Sequence, residues 1–167
     1  YIPTSGQSGG VTRVAGALLD GGNDQLFNST EGVLYYEGNV LDNDLTYRQI
    51  SLSETPSGND VLTLDYSSIS NGIRTYFRVN GTTYALSYVL TDSTQKVKIA
   101  VRYTDTLSLW VNGVQVASTP TPSVSTNFDN LSFDNGSGGG NFYGNVKDVR
   151  VYNTALTDSE LATLTTI

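Results

Sequence analysis

From residue 96 to residue 103 the chain alternates. Val97, Ile99, Val101 and Tyr103 fall on one side of an extended backbone, with Lys96, Lys98, Ala100 and Arg102 on the other. Residues 107–112 repeat the pattern: Leu107, Leu109 and Val111 oppose Ser108, Trp110 and Asn112. In residues 73–79, Ile73, Thr75, Phe77 and Val79 oppose Arg74, Tyr76 and Arg78. A period of two with one apolar face predicts antiparallel strands half-buried against a second layer. Asn80-Gly81 and Asn112-Gly113 each separate two such runs. Asn-Gly supplies the two positive φ angles of a type I′ hairpin turn, whose twist matches the flanking strands. Counted this way the chain holds roughly 10 to 12 strands. Only the end of the chain reads as a helix, near residues 158–164. There Thr157-Asp158-Ser159-Glu160 forms a capping box, and Leu156, Leu161 and Leu164 supply an apolar stripe. Residues 134–141 (DNGSGGGN) precede no helix, so they read as a connection and not as a phosphate cradle. The pattern is that of an all-β, two-sheet antiparallel sandwich with one short C-terminal helix.

Length changes little in this picture, since 167 residues make one domain with an adequate core. Residues 1–12, rich in Gly and Ser, read as a lead-in or linker, and residues 13–167 as the sandwich domain. The absence of methionine suggests a piece of a longer protein. The absence of cysteine removes disulfides and thiolate metal sites. Histidine is absent too, which excludes His-based triads, general bases and metal ligands. With 16 carboxylates against 9 basic residues, the balance is wrong for nucleic-acid binding. No apolar run is long enough for membrane insertion as a helix. Four Asn-x-Ser/Thr sites (Asn28, Asn80, Asn130, Asn135) match the chance expected of so much Asn, Gly, Ser and Thr, and none is read as glycosylated.

Residues 98–116 (KIAVRYTDTLSLWVNGVQV) and 141–161 (NFYGNVKDVRVYNTALTDSEL) resemble the second half of concanavalin A-like/laminin G-like jelly-roll domains. In that family a strand ending in an aromatic-Val-Asn-Gly hairpin is followed by a Gly-rich loop. A strand of the form Gly-x-Val-x-Asp-Val-Arg-Val-Tyr-Asn comes next, here 144–153, then Ala-Leu-Thr and a short helix. The resemblance implies that Val146, Val149 and Val151 fill the sandwich and that Leu156 begins a turn laying the helix across an open end. Tyr1-Ile2-Pro3-Thr4 with Val11-Thr12-Arg13, and residues 27–38 with 49–52, are similar to such domains in bacteriophage tail and fibre proteins. That second likeness implies a recognition domain on a virion surface or in the extracellular space. It would pack with other virion or fibre chains, as a homotrimer.

Glycosidases of this fold place two Glu and an Asp on one strand face, and no Glu-x-Asp-x-x-Glu occurs here. Paired-carboxylate hydrolysis needs two groups about 5 Å or about 6.5–9.5 Å apart. Asp42 and Asp44 sit in a turn-like segment without a Glu partner. Lyases of the same fold carry Gln-Ile-His, where this chain has Gln49-Ile50-Ser51. The expectation is therefore a domain that is not an enzyme. Calcium is the one candidate cofactor, because related sandwiches bind it through loop carboxylates and carbonyls. The candidates are Asp24, Asp42, Asp44 and Asp134, all beside turn-forming Asn or Gly, which is their simpler role.

Glycan binding needs aromatic faces and polar side chains. Tyr76 between Arg74 and Arg78, and Trp110 on the polar side of its strand, offer both. Were the strands at 73–79 and 96–103 neighbours, Arg74, Arg78, Lys98 and Arg102 would form one basic strip on an acidic protein. Such a strip suits a carboxylated or sulfated polysaccharide. The competing reading is that these cations only keep a sheet face from pairing with strangers, and that Trp110 packs under a loop. The leading expectation is recognition of a host-surface glycan. A decoration domain for self-assembly and a carbohydrate-binding module of a polysaccharide-degrading enzyme are the alternatives.

Overall fold

The computed structural model describes residues 22, 26–55, 59–121 and 126–167. They form strands β1 (Gly32–Val40), β2 (Arg48–Ser53), β3 (Val61–Tyr66), β4 (Gly72–Val79), β5 (Thr82–Val89), β6 (Val97–Tyr103), β7 (Thr106–Val111), β8 (Val114–Pro120), β9 (Asn130–Ser132) and β10 (Gly144–Tyr152), then helix α1 (Asp158–Thr165). Two five-stranded antiparallel sheets result. Sheet I runs β10-β1-β6-β7-β8 and sheet II runs β5-β4-β3-β2-β9. The expected sandwich and its C-terminal helix are both present. The proposed lead-in, residues 1–12, lies outside the described residues.

The alternating faces meet between the sheets. Val97, Ile99, Val101, Tyr103, Leu107, Leu109 and Val111 from sheet I close on Ile73, Phe77 and Val79 from sheet II in one buried cluster. Tyr103 packs edge-on to Phe128, and its hydroxyl donates to the Asn28 carbonyl at 2.9 Å, so its polar tip is not stranded. Both predicted hairpins are present. Asn80 and Asn112 each take φ of 49°, followed by Gly81 at 77° and Gly113 at 88°.

The strand at 144–153 departs from expectation at one point. The register between β1 and β10 shifts at Glu37/Gly38, with Glu37 opposite Asp148 and Gly38 opposite Val146. Val149 and Val151 pack on the core as expected. Val146 remains 41% exposed, because its partner across the ladder is a glycine with no side chain to cover it.

Helix α1 also lands elsewhere than expected. It lies across the outer face of sheet I, over β6, β7 and β8, and not across an open end. The reason is a second apolar cluster. Val33, Tyr35, Ala100 and Trp110 project outward from three strands, and Leu161 seals them, with Leu156, Ala162 and Leu164 at its margin. Burying an apolar side chain is worth roughly 1.5–3 kcal/mol, so this patch holds the helix firmly.

Candidate functional site

Sheet topology divides the expected basic strip. Arg74 and Arg78 stand on β4 of sheet II, whereas Lys98 and Arg102 stand on β6 of sheet I. Their outward faces are on opposite sides of the molecule, so the four cations form no single surface. Lys98 Nζ donates to the Thr166 carbonyl at 2.7 Å, at the end of α1. Arg102 Nη1 donates to the Leu156 carbonyl at 3.0 Å and to Asp158 Oδ1 at 2.7 Å, at its start. Trp110 is 6% exposed under α1, with its indole N–H on Ser108 Oγ at 3.2 Å. Ala100 is fully buried and is the seat of the helix. These three site candidates are engaged in docking α1. Lys96, on the same side, faces Glu37 at 3.5 Å, and Lys147 reaches that carboxylate at 2.9 Å.

Among the described residues no helix covers the outer face of sheet II. In-register pairing sets out three rows across it. Gln49, Asp65, Arg74 and Ser87 make one; Ser132, Ser51, Thr63, Tyr76 and Ala85 the next; Asn130, Ser53, Val61, Arg78 and Thr83 the third. The Gly-rich loop lies over the β2 side. A Cβ on Gly136 would meet Ser53, and one on Gly140 would meet Gln49. Ser51, Ser53 and Thr63 are buried on this side, whereas the β4–β5 half of the face is half-buried to exposed.

Arg74 is the best-defined group on the open half. Its Nε and Nη2 donate to Asp65 Oδ2 at 3.0 and 2.6 Å, and Gln49 Nε2 donates to Asp65 Oδ1 at 2.9 Å. Burial pushes the Asp65 carboxyl above the usual carboxylate range, against the pull of Gln49, Thr63 and Arg74. The guanidinium lies 5.1 Å from the Tyr47 ring centroid and 5.2 Å from that of Tyr76. Burial, and then the Asp65 charge, raise the Tyr76 hydroxyl above its ordinary range, so it stays a neutral donor. Held side-on by Asp65 and flanked by two rings, Arg74 keeps its Nη1 without a hydrogen bond to any described residue. That atom belongs to the edge of the guanidinium fork that can address a ligand.

An open cleft of about 310 Å³ adjoins Arg74, walled by Tyr47, Ile69, Ser87, Tyr88 and Val89. Tyr47, Ile69, Tyr88 and Val89 are exposed apolar side chains. The cleft thus combines aromatic and aliphatic walls with one oriented cation and serine hydroxyls, the mixture a sugar ring requires. A second cleft, about 580 Å³ and polar, opens beside Arg78 and is lined by Glu54, Asn59, Asp60, Asn80 and Asn127.

The acidic candidates for calcium separate. Asp24 lies outside the described residues. Both Asp44 oxygens accept from Arg48, at 2.8 and 2.7 Å, and that pair holds the Asp44 carboxyl down at about 2. A guanidinium in that position repels a divalent cation. Asp42 is exposed and contributes only its carbonyl, to Arg48 at 3.3 Å. Asp134 is buried and uses both oxygens within its loop, accepting from Gly136 N at 2.7 Å and Gly138 N at 3.1 Å. Among the described residues no three acidic groups gather to hold a metal ion.

Tyr47, Tyr88 and Asp65 went unnoticed in sequence. Tyr47 and Tyr88 lack any local signature, but Asp65 has one: it is a carboxylate on the same strand face as Thr63 inside VLTLDY.

The family model described as the concanavalin A-like lectin/glucanases superfamily matches residues 40–162. No curated protein matches the sequence. Among solved structures, the chain is similar to the CBM40 domain of Ruminococcus gnavus IT-sialidase bound to α2,3-sialyllactose. The TM-score is 0.71 at 17% identity, over 90% of this chain and 94% of that one. It is also similar to leech intramolecular trans-sialidase complexed with 2,7-anhydro-Neu5Ac, with TM-score 0.66 and 19% identity, over 83% of this chain and 23% of that one. The binding domain of botulinum neurotoxin serotype G gives TM-score 0.62 and 13% identity, over 83% of this chain and 37% of that one. At such identities the likeness is one of fold. The described architecture and the family match agree, and the chain belongs to the concanavalin A-like lectin/glucanases superfamily.

Proposed function

We propose that this domain binds a glycan without transforming it, and that the sugar held in the cleft beside Arg74 is acidic. One observation carries the reading. Arg74 is fixed by a buried carboxylate between two tyrosine rings, at the edge of a cleft of about 310 Å³ with apolar walls. A carboxylated pyranose offers what that arrangement lacks: a planar acceptor for the guanidinium fork, and C–H faces for Tyr47 and Tyr88. The absence of histidine and the internal pairing of Asp65 supply no general acid–base couple at this cleft.

Two placements of the domain fit this activity. The likeness to phage-type domains at 27–38 and 49–52 supports recognition of host glycan from a virion tail or fibre, as a homotrimer among other fibre chains. The likeness over nearly the whole of a sialidase CBM40 domain supports a carbohydrate-binding module beside a glycan-degrading enzyme. In both the domain is extracellular.

Titration calorimetry with α2,3-sialyllactose, a uronic acid oligosaccharide and lactose tests the reading. Binding of an acidic ligand, and its loss by tenfold or more in Arg74→Lys, is the expected result. That substitution keeps the charge near Asp65 and removes the planar fork. Equal affinity for lactose, or an unchanged Arg74→Lys, would overturn it.

A further inference from the structure

Resting on that reading, we infer that the ligand is not a lone acidic sugar but an oligosaccharide lying along β4, with neutral sugars in the second cleft beside Arg78. The two clefts stand at opposite ends of one row of outward side chains, Arg74, Tyr76 and Arg78. Arg74 and Arg78 are four residues apart on one strand, which sets them about 13 Å from each other. One pyranose cannot reach across that span, whereas a short chain of them can.

The surface between the clefts is shaped for such a chain. Tyr76 stands midway, half-buried, with Arg74 against its ring. Opposite the three tall side chains, β5 presents Ser87, Ala85 and Thr83 in register, all small and exposed. Tall residues on β4 and short ones on the edge strand β5 make a ledge, walled by β4 on one side, that joins the clefts along the strand direction.

The clefts differ in chemistry, and the difference sets the order of the sugars. The first has one oriented cation and apolar walls. The second has one cation, Arg78, against two carboxylates, Glu54 and Asp60, with three asparagines, Asn59, Asn80 and Asn127. Two carboxylates outweigh the one guanidinium and disfavour a second anionic sugar, while carboxylates and amides together accept from and donate to neutral hydroxyls. The site therefore fits an acidic sugar joined to neutral hexoses, and disfavours a uniformly charged polyanion.

The experiment measures affinity against ligand length. Calorimetry would compare the methyl glycoside of sialic acid, α2,3-sialyllactose and a sialylated tetrasaccharide on the wild type. Affinity is expected to rise at least tenfold from the single sugar to the longer ligands. Arg78→Ala should remove that gain without weakening the single sugar. Ala85→Leu, which raises the ledge at an exposed position, should do the same and guards against a folding defect at Arg78. A wild-type affinity independent of length, or a length gain that survives both substitutions, would overturn the inference while leaving the Arg74 cleft standing. Failure of every acidic ligand to bind would overturn the cleft reading, and this inference with it.

Discussion

The Arg74 guanidinium lies 2.6 Å from the Asp65 carboxylate, a pair in which the acid is wholly buried and the base is one-third exposed. Loss of either partner is therefore unequal in effect. Arg74→Ala strands a buried anion with only Gln49 and Thr63 to hold it, and should cost about 3–5 kcal/mol. Asp65→Ala lets the guanidinium turn to solvent and leaves Gln49 unpaired, which should cost about 1–3 kcal/mol. Denaturant unfolding of the two variants checks the ranking, and the reverse order would show that Asp65 is not the group under strain. In sequence Arg74 and Arg78 read alike, as exposed cations of one strand face, and the buried partner sets Arg74 apart.

Weak salt dependence should accompany glycan binding. The cation in the first cleft is formally cancelled by Asp65, so little long-range field attracts an anionic ligand, and recognition acts at hydrogen-bond range. Raising ionic strength from 50 to 500 mM, an order of magnitude, should lower affinity by no more than about threefold. A steep dependence would mean that several unpaired cations contact the ligand.

Trp110, the single tryptophan of the chain, reports on the helix and not on the sugar. Its fluorescence should be blue-shifted in the wild type and unchanged by saturating glycan, whose cleft lies on the other sheet. Leu161→Ala should shift the emission to the red and cost about 2–5 kcal/mol. Quenching of Trp110 by ligand would relocate the site to sheet I.

The helix cap is separable from that packing. Thr157 Oγ1 accepts from the Glu160 amide at 3.3 Å, and Glu160 Oε2 accepts from the Thr157 amide at 2.8 Å. Thr157→Ala should lower stability by about 1 kcal/mol. Trp110 emission should not move, because Arg102 still clips Asp158 and Leu156. A red shift would show that the cap, and not the leucines, holds α1 down.

Acid should erase one surface contribution in a defined window. Asp44 has its carboxyl held at about 2 by Arg48, below the ordinary 3.8 that it takes when unfolded. Its stabilising effect is present above pH 3.8 and is lost as pH falls from there toward 2. The difference in Tm between the wild type and Asp44→Asn should close across that interval. A constant difference would assign the effect to something other than charge.

Strand positions were legible because each follows from a local rule: alternation at 73–79 and 97–103, and Asn-Gly at 80–81 and 112–113. The terminal helix was legible from Thr157 and Glu160 for the same reason. Which strands share a sheet was not, since the pairing of β1 with β6 and β10 joins segments far apart in the chain. Lys98 and Arg102 therefore looked like companions of Arg74 and Arg78. One clue was present: Ala100 and Trp110 are apolar intruders on otherwise polar strand faces, and α1 had an unmatched row of leucines. Together they indicate a covered face. Tyr47 had no such signal, because its approach to Arg74 depends on where the turn before β2 places it.

Docking of α1 on sheet I also fixes how the domain can be displayed. Lys98 ties the Thr166 carbonyl to the β6 face, so residue 167 emerges on the side of the molecule away from Arg74 and Tyr88. A tether attached there, whether a biotin on a sensor chip or a fused protein, would point the β4–β5 ledge outward toward solution. An anchor on the exposed face of β5 would instead press it against the support. Orientation of capture is thus set by the same contact that removed Lys98 from the ligand face.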